Sequence, residues 1–98
     1  MPYAIIKQAI ERKHSLSAKY EYYVRFFSPL ALGDDRQGRK IVLGFQYNGG
    51  KPGGLAPAGE WCFFQVDRLV DLRPNGDRWL TGPMDAPLHH FSRIDLEV

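Results

Sequence analysis

Tyr22-Tyr23-Val24-Arg25-Phe26-Phe27-Ser28-Pro29-Leu30-Ala31-Leu32 is the stretch on which the fold turns. Aromatic and β-branched residues fill both of its parities, which favours a strand with work on two faces over an amphipathic helix. Tyr22, Val24 and Phe26 share one face; Tyr23, Arg25 and Phe27 share the other. Pro29 cannot donate to a ladder, so the strand bulges or bends there, or lies at an edge. One parity of such a strand normally meets solvent, yet both are aromatic here. Either other segments cover the second face, or the aromatics and arginine form an exposed surface able to stack planar ligands.

Working outward, the period stays at two. Leu16, Ala18 and Tyr20 alternate with Ser15, Ser17 and Lys19 in a preceding strand. Asp34-Asp35-Arg36-Gln37-Gly38 is a polar hairpin turn, followed by Ile41, Leu43, Phe45 and Tyr47 in the next strand. Cys62, Phe64 and Val66 alternate with Trp61, Phe63 and Gln65 in a fourth, and Leu69 to Leu72 makes a short fifth, before the turn signal Pro74-Asn75-Gly76-Asp77. At the N-terminus Pro2 suits a first helical turn. Ile5/Ala9 and Ile6/Ile10 then form an apolar stripe over a helix from about Tyr3 to Lys13. A helix this short needs a surface to dock on, so it caps the sheet. Ile94, Leu96 and Val98 alternate again at the C-terminus, as a sixth strand or an extended arm. The short and turn-rich stretch from Thr81 to Pro87 favours folding that arm back within the chain over crossing to a second copy.

These elements predict a single mainly β (α+β) domain: a small, strongly bent antiparallel SH3/Sm-like barrel with an N-terminal capping helix and an extended C-terminal arm. Residues 1–14 form the helix, 15–80 the barrel and 81–98 the arm. The chain has 98 residues, 44% of them hydrophobic, with ten Gly and seven Pro, as suits many turns around one small core. No stretch is apolar enough to span a membrane, and the start lacks the pattern of a signal peptide, so the expected location is cytoplasmic. The single cysteine excludes an internal disulfide.

Charge divides the chain. Residues 1–51 carry nine Lys/Arg against four Asp/Glu, whereas residues 52–98 carry four against seven. The basic half can attract an anion or a phosphate backbone; the acidic half could meet the basic half of a neighbouring copy. Gly49-Gly50-Lys51 lacks the spacing, the following hydroxyl and the helix of a P-loop. His89-His90 with His14 makes no metal set, and Cys62 alternates with core-type residues rather than pairing with a base. No hydrolase or metalloprotease motif is present, so no enzyme, no metal and no cofactor are expected.

The order of several of these residues is similar to that of the WYL domain, a helix-preceded SH3/Sm-like barrel of bacterial regulators and defence-associated proteins. The resemblance runs from about Ile5 to Leu72. It includes Ala9-Ile10-Glu11-Arg12-Lys13, Leu16, Tyr20, and Arg25 four residues before Pro29. Ile41-Val42-Leu43 stands where the name-giving Trp-Tyr-Leu would be, and Phe64-x-Val66-Asp67-Arg68-Leu69 closes it. Only Leu43 of the triplet survives, and Cys62 replaces an arginine of the family pattern. The resemblance implies a stand-alone ligand-sensing or regulatory module, without the winged-helix DNA-reading domain, that binds a nucleotide or single-stranded nucleic acid. Arg25 and Arg68 would be its phosphate forks, with Tyr23, Phe27, Trp61 and Phe63 as neighbouring aromatics. The alternative is a structural interaction module, a homodimer or a partner of a regulator, joined through sheet edges.

Overall fold

A computed structural model describes residues 1–83 and 85–98. Helix α1 (Pro2–Arg12) leads into six strands: β1 (Leu16–Tyr20), β2 (Tyr23–Asp34), β3 (Lys40–Gly49), β4 (Glu60–Gln65), β5 (Val70–Pro74) and β6 (Arg93–Glu97). Short 3₁₀ turns at Val66–Arg68 and Leu88–His90 precede β5 and β6. The helix ends at Lys13, which takes the left-handed conformation (φ 54°) while its N–H caps the Ile10 carbonyl. Among the described residues, no helix is long and apolar enough to cross a membrane.

All pairings are antiparallel, in the order β4-β3-β2-β1-β5, with β6 also on β2. The long β2 organises the sheet. Its first half pairs with β1 from Tyr23 to Phe27, and its second half pairs with β6 from Ala31 to Asp34. β3 runs along its other side, with a register shift between Pro29 and Ala31. Pro29 therefore sits at the bulge that separates the two halves. The expected mainly β architecture with one N-terminal helix is present, but the sheet does not close into a barrel: β4 and β5 are its two ends. The irregular stretch expected from Thr81 to Pro87 is irregular wherever it is described; Met84 lies outside the described residues.

Both faces of the sheet are covered, which is why both parities of β2 and β3 are apolar. On the inner face Ile6, Ala9 and Ile10 of α1 pack onto Leu16, Phe27 and Phe64 in one large core. On the outer face Ala31, Ile41, Leu43 and Phe91 form a second, smaller cluster, rimmed by Trp61, Phe63 and Leu88. The C-terminal segment closes that outer face. It is pinned by polar contacts: the Leu80 N–H donates to Ser28 Oγ at 2.8 Å, Ser15 Oγ donates to the Arg78 carbonyl at 3.0 Å, and Trp79 Nε1 donates to the Pro29 carbonyl at 3.3 Å. The arm then folds back as β6, where Asp95 Oδ2 accepts from Tyr3 Oη at 3.0 Å and from Lys40 Nζ at 2.7 Å. It pairs within its own chain.

Candidate functional site

The site begins at the tightest turn of the molecule. Tyr20 and Tyr23 are paired across a two-residue hairpin loop, Glu21-Tyr22. Two-residue hairpin loops need positive φ at the first central position or at both, normally supplied by Gly or Asn. Here Glu21 (φ 49°) and Tyr22 (φ 72°) adopt it with full side chains, at about 1–2 kcal/mol each. The turn holds the Tyr22 ring almost wholly in solvent and sets the Glu21 carboxylate between two guanidinium groups.

Those two groups belong to Arg25 and Arg68. Glu21 Oε1 lies 4.0 Å from Arg25 Nη2, and Oε2 lies 3.7 Å from Arg68 Nη2. Both distances are ion-pair separations too long for hydrogen bonds, so the carboxylate is held loosely. Both arginines approach the Tyr20 ring, with the Arg25 and Arg68 guanidinium carbons 5.4 and 5.8 Å from its centre. The two arginines therefore converge as expected, but in unequal settings. Arg68 is half exposed. Arg25 is only 3% exposed, donating from Nε to the Tyr20 carbonyl at 3.2 Å and from Nη1 to Gln46 Oε1 at 3.1 Å.

Gln46 explains how a guanidinium can be buried here. Its Oε1 accepts from Arg25 and from Cys62 Sγ, and its Nε2 donates to the Asn48 and Gly50 carbonyls. All of its side-chain hydrogen-bonding capacity is used, while Arg25 Nη2 keeps only the loose Glu21 carboxylate as its partner. Lys51 Nζ lies 3.0 Å from Glu60 Oε1 and 3.8 Å from Cys62 Sγ. The Glu60 hydrogen bond holds the lysine above its ordinary pKa, and the Ala56 N–H and Lys51 hold Glu60 below its own. Burial pushes the Cys62 thiol up despite the nearby lysine, which keeps it neutral and a poor nucleophile.

Two adjoining cavities open around this centre. The larger, about 710 Å³, is lined by Lys19, Glu21, Tyr22, Tyr23, Arg68 and Val70, together with Pro52. The other, about 320 Å³, includes Arg25, Lys51, Trp61 and Phe63, and it shares Glu21 and Pro52 with the first. Of the residues expected in one site, Tyr23 and Arg68 thus line one cavity, and Arg25, Trp61 and Phe63 the other. Phe27 is a correction. It is fully buried, its ring 4.7 Å from that of Phe64 and packed so closely over Gly44 that a Cβ there would lie 2.6 Å from it. Tyr23, Arg25 and Phe27 share one face of β2, and that face descends from the mouth of the groove into the core. Phe27 is the residue at the bottom.

Sequence reasoning passed over Glu21, Tyr22, Lys19, Lys51 and Gln46. The signal for the turn was masked: the runs ending at Tyr20 and beginning at Tyr22 lie one residue apart, so Tyr22 reads as strand, whereas the structure places it in the turn. No comparable signal marks Gln46, since the acceptor for a buried arginine is known only once the strands are paired. No protein-family model matches the chain, and neither does a curated protein or a solved structure.

Proposed function

We propose that this protein is a non-enzymatic binding module whose 710 Å³ groove takes a nucleotide or a short run of single-stranded nucleic acid. One observation carries the reading. Arg68 and Lys19, both cationic, share a groove with Tyr22, which stands on the strained turn, and Tyr23, which opens β2. Phosphate would meet Arg68 and Lys19, and a base would stack on the tyrosines. Strained residues that keep bulky side chains where Asn-Gly would fit better are a mark of function. Arg25 acts from beneath, holding Tyr20 and the Glu21 carboxylate in place rather than touching the ligand first.

On the same footing we propose that the sheet is an open variant of the SH3/Sm-like barrel of WYL domains. The β1–β5 pairing, the 3₁₀ turn before β5 and the bulge at Pro29 support this. The module would then serve a regulator of bacterial type as its ligand sensor. Titrating isotope-labelled protein with mononucleotides, dinucleotides and short single strands should shift the amides of Tyr23 and Arg68 and leave that of Phe27 unmoved. Affinity should fall steeply with salt, and Arg68→Ala should weaken binding about tenfold. Duplex DNA should bind far more weakly, since the groove is too small for a double helix. If none of these ligands moves Tyr23 or Arg68, the reading fails.

A further inference from the structure

Of the side chains lining the 710 Å³ groove, Glu21 alone is a pure acceptor. Lys19 and Arg68 only donate, the Tyr22 and Tyr23 hydroxyls can do either, and Pro52 and Val70 do neither. A groove meant for phosphate alone gains nothing from a carboxylate, which repels the ligand and cancels part of the Arg68 field. The backbone does not favour it either, because at φ 49° Gly or Asn would sit with less strain.

Ion pairing alone does not explain the residue. Its oxygens lie 4.0 Å from Arg25 Nη2 and 3.7 Å from Arg68 Nη2, beyond hydrogen-bond length, and 42% of the side chain is exposed. Pairs of that kind contribute little. Among the described residues neither oxygen accepts a hydrogen bond, so both keep their lone pairs for a ligand. The support behind it is firm all the same. Arg25 is buried and tied to the Tyr20 carbonyl and to Gln46, which fixes the positive charge that the carboxylate leans on.

We infer that Glu21 reads the base and that the groove selects an unpaired guanine, an inference that rests on the nucleotide reading above. A carboxylate takes two parallel hydrogen bonds when two donors lie side by side. Guanine is the common base that offers them, with N1–H and the 2-amino group adjacent on its pairing edge. Adenine and cytosine set a ring-nitrogen acceptor beside their single amino group, and uracil and thymine flank N3–H with two carbonyl oxygens. Those acceptors would face a carboxylate oxygen, and the repulsion discriminates as well as the missing bond does. The remaining group on the guanine edge, the O6 acceptor beside N1, needs a donor. Each Glu21 oxygen has a guanidinium nitrogen within 4.0 Å, so a donor stands near O6 whichever oxygen takes N1–H. Stacking on Tyr22 and Tyr23 tolerates any base, which leaves the choice to Glu21. A guanine paired with cytosine has this edge occupied, so the ligand is a guanosine nucleotide or a single strand that carries one.

The test titrates the full chain at one low salt concentration with the monophosphates of guanosine, inosine, adenosine, cytidine and uridine, following the Tyr23 and Arg68 amides. Guanosine monophosphate should bind about tenfold more tightly than the adenosine, cytidine and uridine nucleotides. The inosine nucleotide lacks only the 2-amino group and should lose about fivefold. A short uridine strand carrying one guanosine should likewise bind more tightly than the all-uridine strand. Glu21→Gln keeps the size of the turn residue but replaces one acceptor oxygen with a donor. Affinity for the guanosine nucleotide should fall, while affinity for the adenosine and uridine nucleotides rises as the repulsion is removed. A rise of all five together would show that Glu21 acts only through its charge, and would overturn the inference. So would equal binding of the five by the unaltered protein, or of the two strands. Each of those results leaves the nucleotide reading standing; binding by none of the ligands ends both.

Discussion

The two faces of the sheet are closed by different means. The inner face is covered by α1, a regular helix whose Ile6, Ala9 and Ile10 lie against fully buried Leu16, Phe27 and Phe64. The outer face is covered by a segment with little regular structure, which lies over Ala31, Ile41, Leu43 and Phe45 with its own Phe91 buried among them and relies on Ser28, Ser15, Trp79 and Asp95 to hold it down. Burial area stabilises the first closure, whereas directional hydrogen bonds position the second. A helix can present an apolar stripe without help because its own backbone is satisfied. An irregular segment must find partners for its main chain on whatever it covers.

That contrast sets the order of expected effects. Ile10→Asp places an unpaired charge in the inner core and should remove several kcal/mol of stability, read as a collapse of the melting temperature. An unchanged Tm would mean that the helix is dispensable and that the inner face is closed some other way. Removing residues 91–98 takes away Phe91, β6 and the Asp95 contacts; it should cost about 2–4 kcal/mol while light scattering still reports a monomer. A dimer that becomes monomeric on truncation would assign the arm to association instead. Ser28→Ala strands the Leu80 N–H and one Ser15 bond, and should cost about 1–2 kcal/mol, with faster exchange in residues 78–82 but not in α1.

The arm's latch should also respond to pH in a defined sense. Hydrogen bonds from Lys40 and then Tyr3 hold the Asp95 carboxyl below the usual range, and hydrogen bonds to Asp34 and Asp95 hold the Lys40 ammonium above its own. Asp95 therefore contributes stability above about pH 4 that is lost as the pH falls through its lowered value. Lys40 contributes below about pH 10 and loses its effect as the pH rises through its raised value. Hydrogen exchange should show β6 opening at both extremes before β1 does, and Lys40→Met should abolish that difference. The smallest effect concerns the strained hairpin. Tyr22→Gly should stabilise the fold by about 1 kcal/mol in denaturant titration while weakening nucleotide binding, as befits a residue kept for function. A loss of stability would show that the turn is not strained.

Periodicity in the sequence was enough for the helix and for five strands, because a period of two or of 3.6 is written locally in which residues are apolar; it left the C-terminal alternation open between an arm and the sixth strand that the structure shows. It also marked Pro29 as a break, since a missing N–H has the same consequence in any sheet, while the family resemblance singled out Arg25 and Arg68, which the structure brings together beside Tyr20 and Glu21. Depth was not legible. Tyr23, Arg25 and Phe27 look alike as three residues of one parity, yet they stand at the mouth, the wall and the floor of the same face. Which is which depends on how β3 and α1 close over β2. The partners of Arg25 come from the turn at Glu21 and from Gln46 on the next strand, and a pairing across strands has no trace in either segment alone. Coverage was open for the same reason: aromatic residues on both parities call for two covering elements, but only the folded chain decides that α1 takes one face and residues 78–92 the other. What the sequence determined by itself was local, the pattern of each element. What the tertiary structure decided was everything that needs two distant segments in contact: the buried arginine, the groove, and the strand edge left unpaired.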